Sequence, residues 1–299
     1  MKKSRQYILL TWGLSWTAVG IAYALGLRLT DLGAYTAFAA AYMMLPGFVV
    51  LILQKIHQEE LFKQVAMSLS FNRWFLLAIL FPVLLTFAAL GINLQFPFVQ
   101  YSSHQENILA MLTEEQAAQA QEGLSSMPGS LFLLITLSQA ILAGCTINAF
   151  FALGEELGWR GYLMRELSNM PVIYSAIFTG AVWGLWHFPL ILMGHNYPQH
   201  PLLGVPMMII WCILLSPVMS YLRVKSKSVI SAALFHGTLN AVAGMALLYI
   251  SGGNDLTNGL TGLAGFIALA ILNGLLFLYD RYITKERIFT SCLSELERS

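Results

Sequence analysis

Two adjacent carboxylates and an arginine, Gly154-Glu155-Glu156-Leu157-Gly158-Trp159-Arg160-Gly161, close an apolar run that begins at Leu131. Each ionised group at mid-bilayer costs roughly 2.5–3.5 kcal/mol on insertion scales, so such groups are usually paired, face water and serve a function. On a helix Glu156 and Arg160 stand at i, i+4 and can pair, while Glu155 points about 100° away. One carboxylate is then tied to a cation and the other is free for chemistry. Taken alone, the stretch reads equally well as interfacial charges at a helix end. Two further polar sets interrupt apolar runs: Trp183-Gly184-Leu185-Trp186-His187, and Phe235-His236-Gly237-Thr238-Leu239-Asn240. His236 and Asn240 share a helix face. Hydrocarbon offers these groups no water, so they are expected to converge on one polar cavity.

A glutamate with two histidines supports two chemistries. In one, Glu155 and His187 activate a water for attack on an amide carbonyl, while His236 and Asn240 donate hydrogen bonds to the oxyanion. In the other, Glu155, His187 and His236 bind zinc, which acidifies the water. The histidines do not follow H-E-x-x-H, so zinc is the less specific expectation.

The elements that must position these groups are membrane spans. The chain has 299 residues, 57% hydrophobic and 10% charged, against about 25% charged in soluble domains. The sequence predicts an all-α polytopic bundle forming a single membrane domain, 1–299, with a core at 131–250. Eight apolar runs of spanning length cover about 7–27, 33–54, 73–93, 131–157, 174–193, 202–222, 229–250 and 260–281. The first is longer than a signal-peptide apolar region and is expected to be a retained anchor. Lys2, Lys3, Arg5, Lys55, Lys63, Arg73, Arg160, Arg165, Arg223, Lys225, Lys227, Arg281, Lys285, Arg287 and Arg298 all fall on one side of this arrangement, and only Arg28 on the other. That asymmetry places both termini in the cytoplasm, in a multi-pass protein of a bacterial-type plasma membrane. Gln54–Asn72 is expected to form an interfacial amphipathic helix. The extracytoplasmic loop, 95–129, has no Lys or Arg, and Thr113-Glu114-Glu115-Gln116 has capping-box spacing for a short helix through Gln121. His195 and His200 read as residues of an outward turn. Cys145, Cys212 and Cys292 form neither a disulfide framework nor a metal motif. A net charge of +1 gives no sign of a nucleic-acid partner.

In order and spacing, Glu155-Glu156-x-x-x-Arg160, Trp183-x-x-x-His187 and His236-x-x-x-Asn240 resemble the three motifs of the CPBP family, the type II CAAX prenyl endopeptidase and bacteriocin-processing (Abi) intramembrane proteases. Trp183 stands where the family usually has Phe, which implies a packing role. The resemblance implies an all-α core with its site opening toward the cytoplasm. It also implies Glu155 and His187 as water activators, His236 and Asn240 as oxyanion stabilisers, and Arg160 as the group that holds Glu156. The expected activity is cleavage of a membrane-associated peptide or lipidated protein, a CAAX-type prenyl protein or a leader peptide. Two other readings stay open: a non-proteolytic scaffold or bacteriocin-immunity protein that binds a peptide in the same cavity, and a transporter. The lack of an inverted repeat weighs against the transporter.

Overall fold

The computed structural model describes residues 2–60 and 65–297. Because lipid cannot satisfy backbone groups, the apolar runs form helices. Among the described residues, seven helices are long and apolar enough to span a membrane. They include α1 (Lys2–Ala24), α2 (Leu32–Ile56) and α3 (Arg73–Asn93). The fourth span, Gly129–Glu166, is one continuous helical rod of 38 residues. After α4 (His104–Met111) and α5 (Glu114–Ser126), that rod comprises α6 (Gly129–Ala143), a π-helical segment Gly144–Asn148, α7 (Ala149–Glu156), a second π segment Leu157–Leu163, and α8 (Met164–Glu166). The fifth expected span is α9 (Val172–Trp186), which at 15 residues falls short of the membrane. The chain turns at His187 and continues as α10 (Phe188–Leu192). Then follow α11 (Pro201–Ser226), α12 (Val229–Val242) and α13 (Leu263–Leu278). The bundle is therefore the expected all-α multi-pass assembly, with one broken span.

The two ends of the bundle are chemically distinct. At one end Glu59 pairs with Lys3 and with Arg165, the latter at 2.9 Å. Arg223 pairs with Glu297 at 2.8 Å, Lys225 with Glu286, and Cys292 bridges Pro171. Four of the basic residues that the sequence assigns to one side, Lys3, Arg165, Arg223 and Lys225, thus form ion pairs at one end, whereas Arg160 is buried beside Glu156. At the other end a short ribbon pairs Val99–Tyr101 with Ile250–Gly252. The Asn107 amide donates to the carbonyls of Leu248 and Ile250 there, and Tyr197 donates to the Thr261 carbonyl at 2.7 Å. The capping box at Thr113 forms as expected, and its helix runs on to Ser126; a second box at Ser103 starts α4. The expected interfacial helix does not appear in residues 57–60 and 65–72, which are turns and extended chain; positions 61–64 lie outside the described residues, as does Arg298. The alternation of charged and apolar side chains there serves a strap instead: Val229 N–H donates to the Ala66 carbonyl at 2.8 Å, and Val65 is fully buried.

Helix α1 packs against α9. Trp12 and Trp16 donate their indole N–H groups to the carbonyls of Val182 and Trp186, each at 3.2 Å.

Candidate active site

Small residues set the distances between the helices that carry the motifs. A Cβ added at Gly154 would stand 2.7 Å from the Met44 Cα, and one at Gly47 would stand 2.7 Å from the Gly154 carbonyl. Glu155 therefore follows directly on a close crossing of α2 and α7. Gly180 and Gly184 do the same for α9 against α11, where added Cβ atoms would meet the backbone of Cys212 and Ile209 at 2.6 and 2.5 Å. That spacing is the small-x-x-x-small pattern by which membrane helices approach closely. It fixes the rod bearing Trp183 and His187.

The expected Glu156–Arg160 pair forms. One guanidinium nitrogen donates to both Glu156 oxygens at 3.1 Å, the other to Ser216 Oγ at 2.8 Å, and neither ionic side chain has any exposure. Glu156 also accepts from His236 Nδ1 at 2.9 Å, so it joins two spans. Nothing in the spacing of the motifs signals that second bond.

Glu155 is 2% exposed and accepts the Trp183 indole N–H at 2.7 Å. A phenylalanine could not donate it, so the packing role implied for this position is incomplete. The Trp183 ring lies 5.7 Å from the His187 ring, 5.4 Å from that of His236, and 4.5 Å beneath the Arg160 guanidinium. One indole thus touches the acid, both imidazoles and the cation. His187 Nδ1 donates to the Trp183 carbonyl at 2.9 Å, which leaves its Nε2 as an acceptor.

Glu155, His187, His236 and Asn240 line a single cavity of about 270 Å³, as the convergence argument requires. Asn240 is exposed toward it. Its remaining wall is largely aromatic: Tyr42, Trp186 and Trp211, with Met43 and Met208. The Trp211 N–H is buried there without a partner. A larger apolar groove of about 920 Å³ between α3 and α13 contains none of the motif residues.

Two expectations change. Glu155 is not near the end of its span, because the helix continues to Glu166, eleven residues or roughly 16 Å further. The Glu156–Arg160 pair and the buried Trp159 and Tyr162 carry it past the point where hydropathy falls. Secondly, the cavity reaches His195 and Asn196, in the turn at the end opposite the basic residues. His195 is therefore a wall of the site and lies against Tyr35, ring centroids 6.0 Å apart. His200 is a loop residue held by Asp255 at 2.6 Å.

Zinc would need three of these donors to converge on one point. Both Nδ1 atoms are held by hydrogen bonds, which suits metal-facing Nε2 atoms. However, among the described residues no three His, Cys, Asp or Glu side chains gather closely enough to hold an ion. The residues as placed do not fit the metal.

Residues 129–242 match the family model described as type II CAAX prenyl endopeptidase Rce1-like. A 144-residue stretch is 31% identical to CAAX prenyl protease 2 of Methanococcus maripaludis, covering 45% of this chain and 48% of that protein. The chain thus matches about half the length of that curated relative. In its three motifs and in both comparisons, the segment 129–242 is similar to the Rce1-like type II CAAX prenyl endopeptidases.

Proposed function

We propose that this protein is an intramembrane endopeptidase that uses a glutamate-activated water. The observation that carries the reading is Trp183, a single ring in contact with Glu155, His187, His236 and Arg160. It gathers groups from three spans around one wet cavity. A water between the free Glu155 oxygen and His187 Nε2 attacks the scissile carbonyl carbon. Its proton passes to Glu155 as the carbon–oxygen bond forms. Asn240 and His236 donate to the resulting oxyanion. His236 can donate from Nε2 only as the imidazolium, since Nδ1–H is committed to Glu156. The charges support that form: Glu155, Glu156 and Arg160 sum to minus one, which the imidazolium neutralises. Collapse of the intermediate breaks the carbon–nitrogen bond, and Glu155 returns the proton to the leaving amine.

The similarity to CAAX prenyl protease 2 of Methanococcus maripaludis favours a CAAX-type substrate, and the family resemblance adds leader peptides. Both are membrane-associated chains, which suits a site set between spans. Glu155→Gln and His187→Ala are each expected to abolish cleavage of a membrane-inserted peptide by the purified full chain, with melting profiles unchanged. Turnover in either variant overturns the mechanism. A Glu155→Gln protein that keeps its role in cells would assign a peptide-binding scaffold instead.

A further inference from the structure

We infer that Ser15 and Trp16 of α1 are positioning residues for His187: from outside the matched segment 129–242, they cap the broken end of α9 and hold the imidazole in its working geometry. The inference rests on the protease reading above, in which His187 helps to activate the water. Neither residue lines the cavity, so both act through Trp186, which does.

The last carbonyls of a helix have no intrahelical partner, and hydrocarbon supplies none. At the end of α9 they are met by groups of different origin. The Trp183 carbonyl accepts from His187 Nδ1 at 2.9 Å, and that of Gly184 from the His187 backbone N–H at 3.2 Å. The Trp186 carbonyl, directly before His187, accepts from two other helices. The Tyr42 hydroxyl of α2 donates to it at 2.9 Å and the Trp16 indole of α1 at 3.2 Å. The Trp186 side chain is fixed from the same direction. Its indole N–H donates to Ser15 Oγ at 2.8 Å, and its ring stacks on Tyr42 at 4.2 Å. The His187 ring stands edge-on to it at 4.8 Å. Trp186 is 1% exposed and is gripped by backbone and side chain at once. His187 is both the next residue of the chain and the next ring of the stack.

The sequence of α1 suits this task. Its buried seam is Ser4, Tyr7, Thr11, Ser15 and Val19, at the three- and four-residue spacing of one helix face. A fully buried hydroxyl in a membrane helix needs a hydrogen-bond partner, and Ser15 finds it in the Trp186 indole. One turn earlier, Trp12 donates to the carbonyl of Val182. Helix α1 thus bonds the residues that immediately precede both Trp183 and His187. With the cap loosened, α9 gains a further regular turn. The His187 backbone N–H then takes the Trp183 carbonyl, and Nδ1 loses its acceptor. An imidazole without that acceptor no longer keeps its unprotonated Nε2 toward the water.

The test uses the purified full chain in detergent, with Ser15→Ala and Trp16→Phe made singly and together. Val19→Ala, on the same buried face, is the packing control. Loss of one hydrogen bond should lower kcat about 3- to 10-fold, and of both about 10- to 100-fold, with KM within about twofold of the parent. Val19→Ala should lower Tm and leave kcat unchanged. Nitrogen chemical shifts of protein carrying isotope-labelled histidine read the tautomer directly, His187 being assigned by its loss in His187→Gln. The parent should hold the His187 proton on Nδ1, and the double variant should show a mixture with Nε2–H. A double variant that keeps full kcat or a pure Nδ1–H tautomer overturns the inference, as does a kcat that simply follows Tm across all variants. The spectra need no turnover. A parent that does not cleave, or a Glu155→Gln protein that does, therefore removes the protease reading while the tautomer still judges the cap.

Discussion

Arg160→Met tests whether the charges behind the site are held as a closed set. Arg160 gives two hydrogen bonds to Glu156 and one to Ser216, and its guanidinium lies 4.5 Å over Trp183. Neither Arg160 nor Glu156 touches solvent. Removing one partner of such a pair strands a buried charge and typically costs about 3–5 kcal/mol. Loss of the ring contact adds on the order of 1–2 kcal/mol. At about 2–4 °C of Tm per kcal/mol for a large domain, the variant should melt roughly 8–28 °C lower in detergent. Glu156→Gln combined with Arg160→Met removes both charges, and the glutamine oxygen still accepts from His236 Nδ1. The double variant should therefore recover much of the loss, with a coupling of about 2 kcal/mol or more in the double-mutant cycle. A single variant that melts within about 2–4 °C of the parent, or a double variant that equals the sum of the singles, would refute the reasoning.

The site and its surroundings make further outcomes measurable. Trp183→Phe keeps an aromatic side chain but deletes the donor to Glu155, worth about 1.5–3 kcal/mol, so kcat/KM should fall roughly 10- to 100-fold. Unchanged kcat/KM would return Trp183 to packing alone. Gly184→Ala should displace α9 from α11 and reduce both Tm and turnover, whereas Gly13→Ala, where nothing lies within 4 Å, should do neither; equal melting of the two would contradict the close crossing. Chelator treatment followed by metal analysis should leave peptide cleavage unaltered, and loss restored by added zinc would reopen the metal chemistry. Burial works to raise the Glu59 pKa, but bonds from Lys3 and Arg165 outweigh it and hold the carboxyl below its ordinary range. A depressed folded-state pKa stabilises above the unfolded value, about 4.3, and that stability is lost as pH falls through the folded value. The Tm gap between parent and Glu59→Gln should therefore be full at pH 6 and shrink below pH ~4; a gap independent of pH would separate the lattice from stability.

Much of this architecture is legible in the residues. Runs of spanning length, the one-sided lysines and arginines and the i, i+4 spacing of Glu156 and Arg160 each act through a local rule: length, charge or helical period. The contacts that tie one span to another obey no such rule. Glu156 reaches His236 across 80 positions, and Trp183 reaches Glu155 across 28. Hydropathy also ends the fourth span early, because a window sums Glu156 and Arg160 as two charges and cannot register that they neutralise each other. The π-helical segments at Gly144–Asn148 and Leu157–Leu163 are equally silent in composition, although they flank both glutamates. Such segments are frequent at functional sites, since the extra residue re-aims the side chains beyond it. His195 illustrates a different limit: its neighbours, Gly194, Asn196 and Pro198, signal a turn correctly. Only the packing of that turn against Tyr35 of α2, beside the shared cavity, makes it a wall.

The hydrogen bonds behind the imidazoles join these levels. Each histidine could rotate or change tautomer in a wet cavity, and a base aimed wrongly would not activate water. Here the Trp183 carbonyl takes His187 Nδ1–H, and the Glu156 carboxylate takes that of His236. Both rings therefore turn Nε2 to the cavity without any ligand being needed to set them. The His187 bond requires a free carbonyl four residues back, and α9 provides one by ending at Trp186. The break that leaves the fifth span too short to cross the membrane thus has a chemical use. If α9 continued as a regular helix, the Trp183 carbonyl would be taken by the His187 backbone N–H, which instead bonds to Gly184 at 3.2 Å. A broken span that costs the bundle regular backbone pairing is what fixes the His187 tautomer.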